Sequence, residues 1–595
     1  MTESNVTRRG FLQGAGVAAA ALATAGMLGG CSSNGDGGAT KANEETNGGA
    51  ASYSPDETMD VDIVVVGSGA SGVAATVQAA ELGATTLLLE KSDVTGGNGR
   101  LTEGMFAIGS QMQKELGVGD GVTFTDIIAA EQEFFNYRIN NLLWKDLADA
   151  SGENIDWMAS HGVKFSGVVD DYHGLGKFDC FHWFEEGSGS NYIDPMLESA
   201  QKLGAVVMAD TPALDLVVEN GAVKGLYAEK PDGSILQVNA KAVILTSGGY
   251  AQNEETMAER GWDLTYSHNN GVNGHDGDGL RMATSAGAHD VSRERCFLRE
   301  AYSFGIDFFA DMSQTIHRGG PVLWVNQDAE RYTNEGCGSF VPQCVGNAVH
   351  TQAESYLVMS KDVIDEFVSR TGYEGLQADM DEAAAQCPGD NVYKADTIKE
   401  LAELQGLDAA VFEATVKRYN ELCDKAVDED FNKDAAELVP IKTAPFYIFR
   451  QDMAFWTSIG GIDTNRKMEV VTAKGEPIPG LYAAGTDGCN LYRETYTMSI
   501  PASCNANNCN SQRQFILHGN IKGIGKLCFW MFLAVLHREG IEGDLVGGIE
   551  HARHGATRLA GTLGQCQTAC PEKWCGDRGF HRSGEKRRYL CSKTG

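Results

Sequence analysis

The chain has 595 residues, 42% of them hydrophobic and 22% charged, with 72 glycines and a net charge of −33. That length allows a large core and at least two domains, and the composition excludes a disordered or fibrous chain. The acidic balance excludes nucleic-acid binding by phosphate neutralisation, which needs clustered Lys and Arg. The glycines fall in short groups with no collagen period, so they mark turns or places where backbone comes close to a ligand.

The first residues read as an export signal. Thr7-Arg8-Arg9-Gly10-Phe11-Leu12 carries a twin arginine, and Ala15 to Leu28 is a weakly apolar stretch. Leu28-Gly29-Gly30-Cys31 has the form of a lipobox. Residues 1–31 are therefore expected to be a Tat signal that leaves Cys31 lipidated on the outer face of the cytoplasmic membrane or in the cell envelope. Residues 32–57, rich in Gly, Asn, Thr and Glu, read as a flexible tether. No C-x-x-C-H occurs, so no c-type haem is expected on this chain, and the scattered cysteines are expected to be mostly free thiols. After the signal no run is long and apolar enough to span a bilayer, the nearest being Leu527 to Leu536.

Asp62-Ile63-Val64-Val65-Val66 predicts a strand buried on both faces of a parallel sheet. Gly67-Ser68-Gly69-Ala70-Ser71-Gly72 follows directly, then an Ala-rich helix to Leu82, then a second strand, Thr85 to Leu89, ending at Glu90. This is a complete βαβ dinucleotide unit. Gly67 allows the tight turn, Gly69 the approach of backbone amides to a pyrophosphate, and Gly72 close helix–strand packing, while the helix N-terminus favours phosphate. Glu90 suits ribose hydroxyls and would repel a 2′-phosphate, so FAD or NAD fits and NADP does not. Asn220-Gly221 predicts a hairpin between Leu214–Val218 and Val223–Glu229, and Ala242 to Gly249 another buried strand ending in glycines. From Arg513 to Gly595, 13 basic residues face 7 acidic ones, a local charge of +6, with Cys528, Cys566, Cys570, Cys575 and Cys591 in the same stretch. The cysteine spacing matches no C-x-x-C pair or ferredoxin run, so no metal is assigned, and this atypical tail, taken as 514–595, reads as non-native or frameshifted.

With Gly67 to Gly72, Glu90 and the later Gly96-Gly97-Asn98-Gly99 in view, the chain resembles the flavoprotein family of fumarate reductase, succinate dehydrogenase, urocanate reductase and ketosteroid dehydrogenase over residues 58–513. The resemblance implies an α/β fold: a Rossmann-like FAD-binding domain in two parts, 58–270 and 456–513, interrupted by an α+β capping domain at 271–455. It implies non-covalent FAD held by Gly67, Gly69, Ala70, Ser71, Gly72, Glu90, Lys91, Gly96, Gly97, Asn98, Gly249 and Gly485. Pro479 to Gly485 matches the family's late FAD motif, and Asp487 stands in for the acid expected at Thr486.

The same resemblance implies catalytic residues. His275-Asp276-Gly277-Asp278-Gly279-Leu280-Arg281 is similar to a family segment with an acid and an arginine three residues on, and Arg318 to Asn326 to the segment whose arginine donates the proton; Arg331 to Glu335 continues it. Arg318 is thus the expected donor, with Asp278 and Arg281 as its relay. His275, Trp456, Tyr492 and Arg493 are expected at the substrate. The family's histidine before Gly460-Gly461 and its Gly-x-x-Arg-Leu-Gly-Gly-Asn segment are absent, which removes the two cationic clamps a dicarboxylate needs. Trp456, Tyr492 and Tyr496 suit a larger, partly aromatic acceptor. The implied activity is hydride transfer from FAD to an activated, enoate-like carbon–carbon double bond, with electrons from a separate membrane or cytochrome donor. Two other readings stay open: a dehydrogenase or oxidase of a ketosteroid-like substrate, and a non-catalytic electron relay.

Overall fold

A computed structural model of the chain describes residues 53–172, 176–262, 267–269, 271–294, 296–302, 320–339, 343–386 and 392–491. The export signal, almost all of the tether, Arg318, Tyr492, Arg493, Tyr496 and the basic tail lie outside these residues.

β1 (Glu57–Val66) opens the larger sheet. Its apolar half, Ile63 to Val66, is buried on both faces, as its unbroken β-branched run requires. Ile63 and Val65 pack against helix α1 (Ala70–Glu81), while Val64 and Val66 face a separate apolar layer. The chain then forms β2 (Thr86–Leu89), β3 (Val206–Met208), the hairpin β4 (Ala213–Glu219) and β5 (Ala222–Glu229), and β6 (Ile235–Leu245). The hairpin turns at Asn220 and Gly221, both at positive φ, the geometry that a two-residue Asn-Gly loop is suited to. Two late strands, β13 (Glu469–Val471) and β14 (Pro477–Ala483), complete eight strands whose main path is β13-β14-β6-β1-β2-β3, with β4 and β5 attached through β6. β14, β6, β1, β2 and β3 run parallel to one another. Their carboxyl ends therefore share one edge, where an open α/β sheet binds its ligand.

A second, six-stranded sheet comes from the middle of the chain: β7 (Ser267–Asn269), β8 (Cys296–Tyr302), β9 (Leu323–Asn326), β10 (Ser355–Ser360), β11 (Val392–Ala395) and β12 (Phe446–Ile459). Between β7 and β8, helix α4 (Asp278–Ser285) packs back on the larger sheet through Leu280, Met282 and Ala283. The 14-residue β12 serves two groups of partners. Its first half pairs with β10 and β11 over an apolar core containing Trp324, Leu357, Phe412 and Tyr447, and its second half pairs with β7 and β8.

That core contains a group of buried charges. Arg331 holds Glu335 (2.7 Å) and Asp428 (2.7 Å), and Lys433 lies 3.5 Å from Glu335 while donating to the carbonyl of Val322 (2.6 Å). Burial pulls the Lys433 ammonium below an ordinary lysine, whereas at Asp428 the bond to Arg331 and three backbone amides outweigh burial and hold the carboxyl far below the usual range. The Arg331 to Glu335 run, expected to continue a catalytic segment, is thus a structural element of this core. Buried charges are retained when paired and hydrogen-bonded.

Helix α2 (Phe124–Phe134) packs in an apolar layer with Phe106, Phe181 and Trp456, and α3 (Asn141–Ser160) runs from that layer to the larger sheet, where Ile155 and Met158 join Ile63 and Val65. Among the described residues, no helix is long and apolar enough to cross a membrane, and Cys180, Cys337, Cys344, Cys423 and Cys489 carry thiols rather than disulfides. Glu131 on α2 is fully buried, and neither carboxyl oxygen has a hydrogen-bond partner. Burial pushes its pKa well above the usual carboxylate value, a shift that the distant Lys177 only partly opposes. A group with a raised folded pKa contributes stability below its unfolded pKa and loses it as pH rises toward the folded value. Glu131→Met is expected to raise stability by about 1–2 kcal/mol near pH 7, with the gain shrinking as pH falls to about 4. Thermal unfolding of the holoenzyme across that range checks it.

Candidate active site

The carboxyl end of β1 turns into α1 through a backbone that only glycine permits. Gly67 has φ +97°, and a Cβ there would lie 2.4 Å from the carbonyl oxygen of Thr246 at the end of β6. A Cβ on Gly72 would fall 1.8 Å from the Gly67 oxygen. The turn, the helix and β6 thus converge as closely as backbones can. Gly69 is the N-cap of the 12-residue α1, so the first amides of that helix have no intrahelical acceptor and face the strand ends.

A cleft runs from this turn, lined by Gly67, Gly69, Glu90, Lys91, Gly97, Arg100, Thr246, Ser247, Gly248 and the segment from Val272 to His275, with Asp278 at its edge. On its floor Glu90 is buried; Oε2 accepts from the amide (2.9 Å) and hydroxyl (2.6 Å) of Ser68, and Oε1 from the amide of Ser92 (3.0 Å). Ser68 Oγ in turn accepts from the amide of Gly96 (2.8 Å), linking the turn to the later glycine pair. Lys91 spans the cleft to Asp276 (2.6 Å) and Asp278 (2.9 Å). Burial alone would lower its pKa, but the two carboxylates outweigh it and hold the ammonium above its ordinary value.

The far wall is tied together by Asp487. Its carboxylate accepts from the amide and hydroxyl of Ser247 and from the amide of Gly249 (2.9 Å). Asn98 is equally committed: Oδ1 accepts from the amide of Val272 (2.8 Å), and Nδ2 donates to the carbonyl of Trp456 (3.0 Å). Both side chains were expected at the flavin. The structure turns both to backbone, Asp487 in the cleft wall and Asn98 at the junction between Val272 and Trp456.

The residues expected at substrate are rearranged in the same way. His275 is buried and faces Gly248, where an added Cβ would meet its ring at 2.8 Å, so it lines the dinucleotide cleft. Trp456 is buried with Phe106, Trp144, Phe181, Cys489 and Leu491, as a core aromatic. Asp278 is taken up by Lys91, and Arg281 reaches Asp215 (2.8 Å) and the carbonyl of Leu214 (2.6 Å) on β4. The two also lie 3.8 Å apart, at the rim of the cofactor cleft, because α4 packs on the larger sheet. Arg318, Tyr492 and Arg493 lie outside the described residues. Of the glycines, Gly249 and Gly485 sit behind the wall at positive φ, and it is Gly248 that lines the cleft. Ala70, Ser71, Gly72 and Gly96 are buried at the turn.

The residues present fit FAD. The glycine turn leaves a cradle that side chains would fill, the α1 N-terminus offers amides to a pyrophosphate, and the buried hydroxyl of Ser71 has no hydrogen-bond partner. The Glu90 carboxyl stands in the cleft where β2 ends, held by Ser68 and Ser92. Comparison with known proteins agrees. The chain belongs to the FAD binding domain family, whose profile matches residues 62–499. It is 32% identical over 470 residues to a vinyl phenol reductase of Lactiplantibacillus plantarum, covering 74% of this chain and 93% of that one. It is 30% identical over 441 residues to a urocanate reductase of Eggerthella lenta, covering 72% and 70% of the two chains. The fold superposes on the open conformation of a flavocytochrome c3 fumarate reductase with a TM-score of 0.59, at 22% identity over 80% of this chain and 79% of that one. The protein is an FAD-dependent oxidoreductase of the fumarate reductase type, acting on carbon–carbon double bonds.

The Lys91 bridge should help to retain the cofactor. Lys91→Met and Asp276→Asn are each expected to speed FAD release about fivefold, with the double variant no faster than either single and the difference fading at high salt. Fluorescence of the freed flavin measures the rate. Additive effects in the double variant would separate the two residues.

Proposed function

We propose that the protein is an exported reductase that uses FAD to deliver hydride to an activated double bond of a small acceptor, conjugated to a carboxylate or to an aryl ring. The observation that carries this reading is the complete dinucleotide cleft, with Glu90 and the Ser71 hydroxyl in place, in a chain this similar to a vinyl phenol reductase. When bound, FAD supplies the hydride. This chain's residues do the rest: α1 holds phosphate at its N-terminus, Glu90 orients the ribose, and the Asp487 contacts keep the wall from collapsing into the cleft.

Hydride arriving at one alkene carbon leaves carbanion character on its neighbour, which a positioned acid must protonate. Arg318 is our candidate for that acid, and its guanidinium can serve only if the proton is promptly restored. An aryl or monocarboxylate acceptor suits the chain better than a dicarboxylate, since both segments that would clamp two carboxylates are missing. Electrons are proposed to come from a separate membrane or cytochrome donor. In a viologen-coupled assay, aryl-conjugated alkenes and monoenoates should oxidise the reduced enzyme faster than fumarate does, and Arg318→Ala should lose this activity on the order of 10³-fold while flavin reduction is unaffected. Oxygen consumption with saturated ketones in place of alkene reduction would favour the dehydrogenase reading.

Export is proposed to use Arg8 and Arg9, with Cys31 as the lipid anchor. Replacing both arginines by lysine should leave the flavoprotein in the cytoplasm on cell fractionation; unchanged export would remove the twin-arginine reading.

A further inference from the structure

The second half of β12 carries an irregularity at one position. Its pairing with β8 steps from Leu298↔Thr457 to Arg299↔Phe455, so β12 has one more residue, Trp456, than β8 across the step. Such a bulge bends the strand and increases its twist, and it needs another partner for the displaced backbone. That partner is Asn98, whose Nδ2 donates to the Trp456 carbonyl at 3.0 Å. The other end of the amide, Oδ1, receives the amide of Val272 at 2.8 Å, at the start of the segment that lines the cofactor cleft. The junction is closed from the far side by Gly271, where a Cβ would lie 2.6 Å from the Trp456 oxygen and 2.9 Å from the Asn98 amide atoms.

β12 is also the strand that joins the two sheets. Residues 446–451 belong to the six-stranded sheet's core, and beyond Ile459 the chain enters the larger sheet's wall, with Gly460 donating to Thr486 (2.8 Å) and Ile462 to Asp487 (3.0 Å). The bend at Trp456 therefore sets the direction in which the second sheet leaves the cofactor cleft. The geometry points to Asn98 as a positioning residue for the reaction: it pins the β12 bulge to the cleft wall and so fixes where the capping sheet stands over the flavin. This rests on the reading that FAD reduces an alkene beneath that sheet.

Two variants attack the junction from opposite sides. Asn98→Ala removes the pin, and Gly271→Ala pushes a methyl group against the Trp456 carbonyl without touching the residues that line the cleft. In both, FAD should remain stoichiometric and dithionite should reduce it at the wild-type rate. Amide hydrogen exchange in residues 296–302 and 452–459 should speed up about tenfold, with β1 and β6 unchanged. Reoxidation of the reduced flavin by the best alkene acceptor should slow about tenfold, while reoxidation by dioxygen, which needs no aligned capping sheet, stays as in the wild type. Wild-type exchange in both variants overturns the assignment whatever the turnover. Faster exchange with unchanged alkene reoxidation also overturns it, leaving a packing contact; so does loss of FAD from Asn98→Ala, which would make Asn98 a cofactor ligand. If the wild-type enzyme reduces no alkene, the proposed function fails, and the exchange rates still decide whether the pin exists.

Discussion

The carboxylate of Asp487 is the contact on which the site depends. It sits 240 residues from Ser247 in the chain, yet it satisfies the Ser247 and Gly249 amides where β6 ends. Those amides have no strand to pair with, and burying them unpaired would cost about 1–3 kcal/mol each. One side chain from the late part of the chain thus completes the wall begun by the early part, and the whole middle sheet is free to be an insertion between them. Glu90 does similar work at the other end, where it ties the Ser68 turn to β2's exit.

How much of this could be read in the sequence follows from the range of the interactions. The β1–α1–β2 unit is local, with period, glycine spacing and terminal acid all falling between Asp62 and Glu90, and the structure places each where the spacing says. The Asn220-Gly221 hairpin is local too. Asp487 and Asn98 were recognisable as belonging near the cofactor, but their hydrogen-bond partners lie far along the chain. Nothing in a linear motif says whether a buried carboxylate will turn to a ligand or to a strand end.

Other placements follow from the same cause. Asp278 and Arg281 stand in an acid-to-arginine spacing that suits a relay, yet α4 folds back on the larger sheet through Leu280, Met282 and Ala283, and that packing decides their neighbours. Trp456 looked like a ligand contact because it is a large aromatic beside a glycine pair; its ring is in the core, and only its carbonyl faces the junction. Lys91 was assigned to cofactor binding without the signal of its partners, since Asp276 and Asp278 meet it only through the fold. Val272 and Asn273 carry no pattern that marks them as a cleft wall.

The buried charges of the second sheet set a rule for recombination between relatives. Arg331 and Glu335 come from one stretch and Asp428 and Lys433 from another about a hundred residues later, and each is compensated only by the others. A chimera whose crossover falls between them would strand a charge in an apolar core, whereas one that exchanges both stretches together keeps the ledger neutral. The natural unit of exchange in this fold is therefore the stretch that carries both pairs, from β9 to the first half of β12, and smaller grafts that divide it should be selected against.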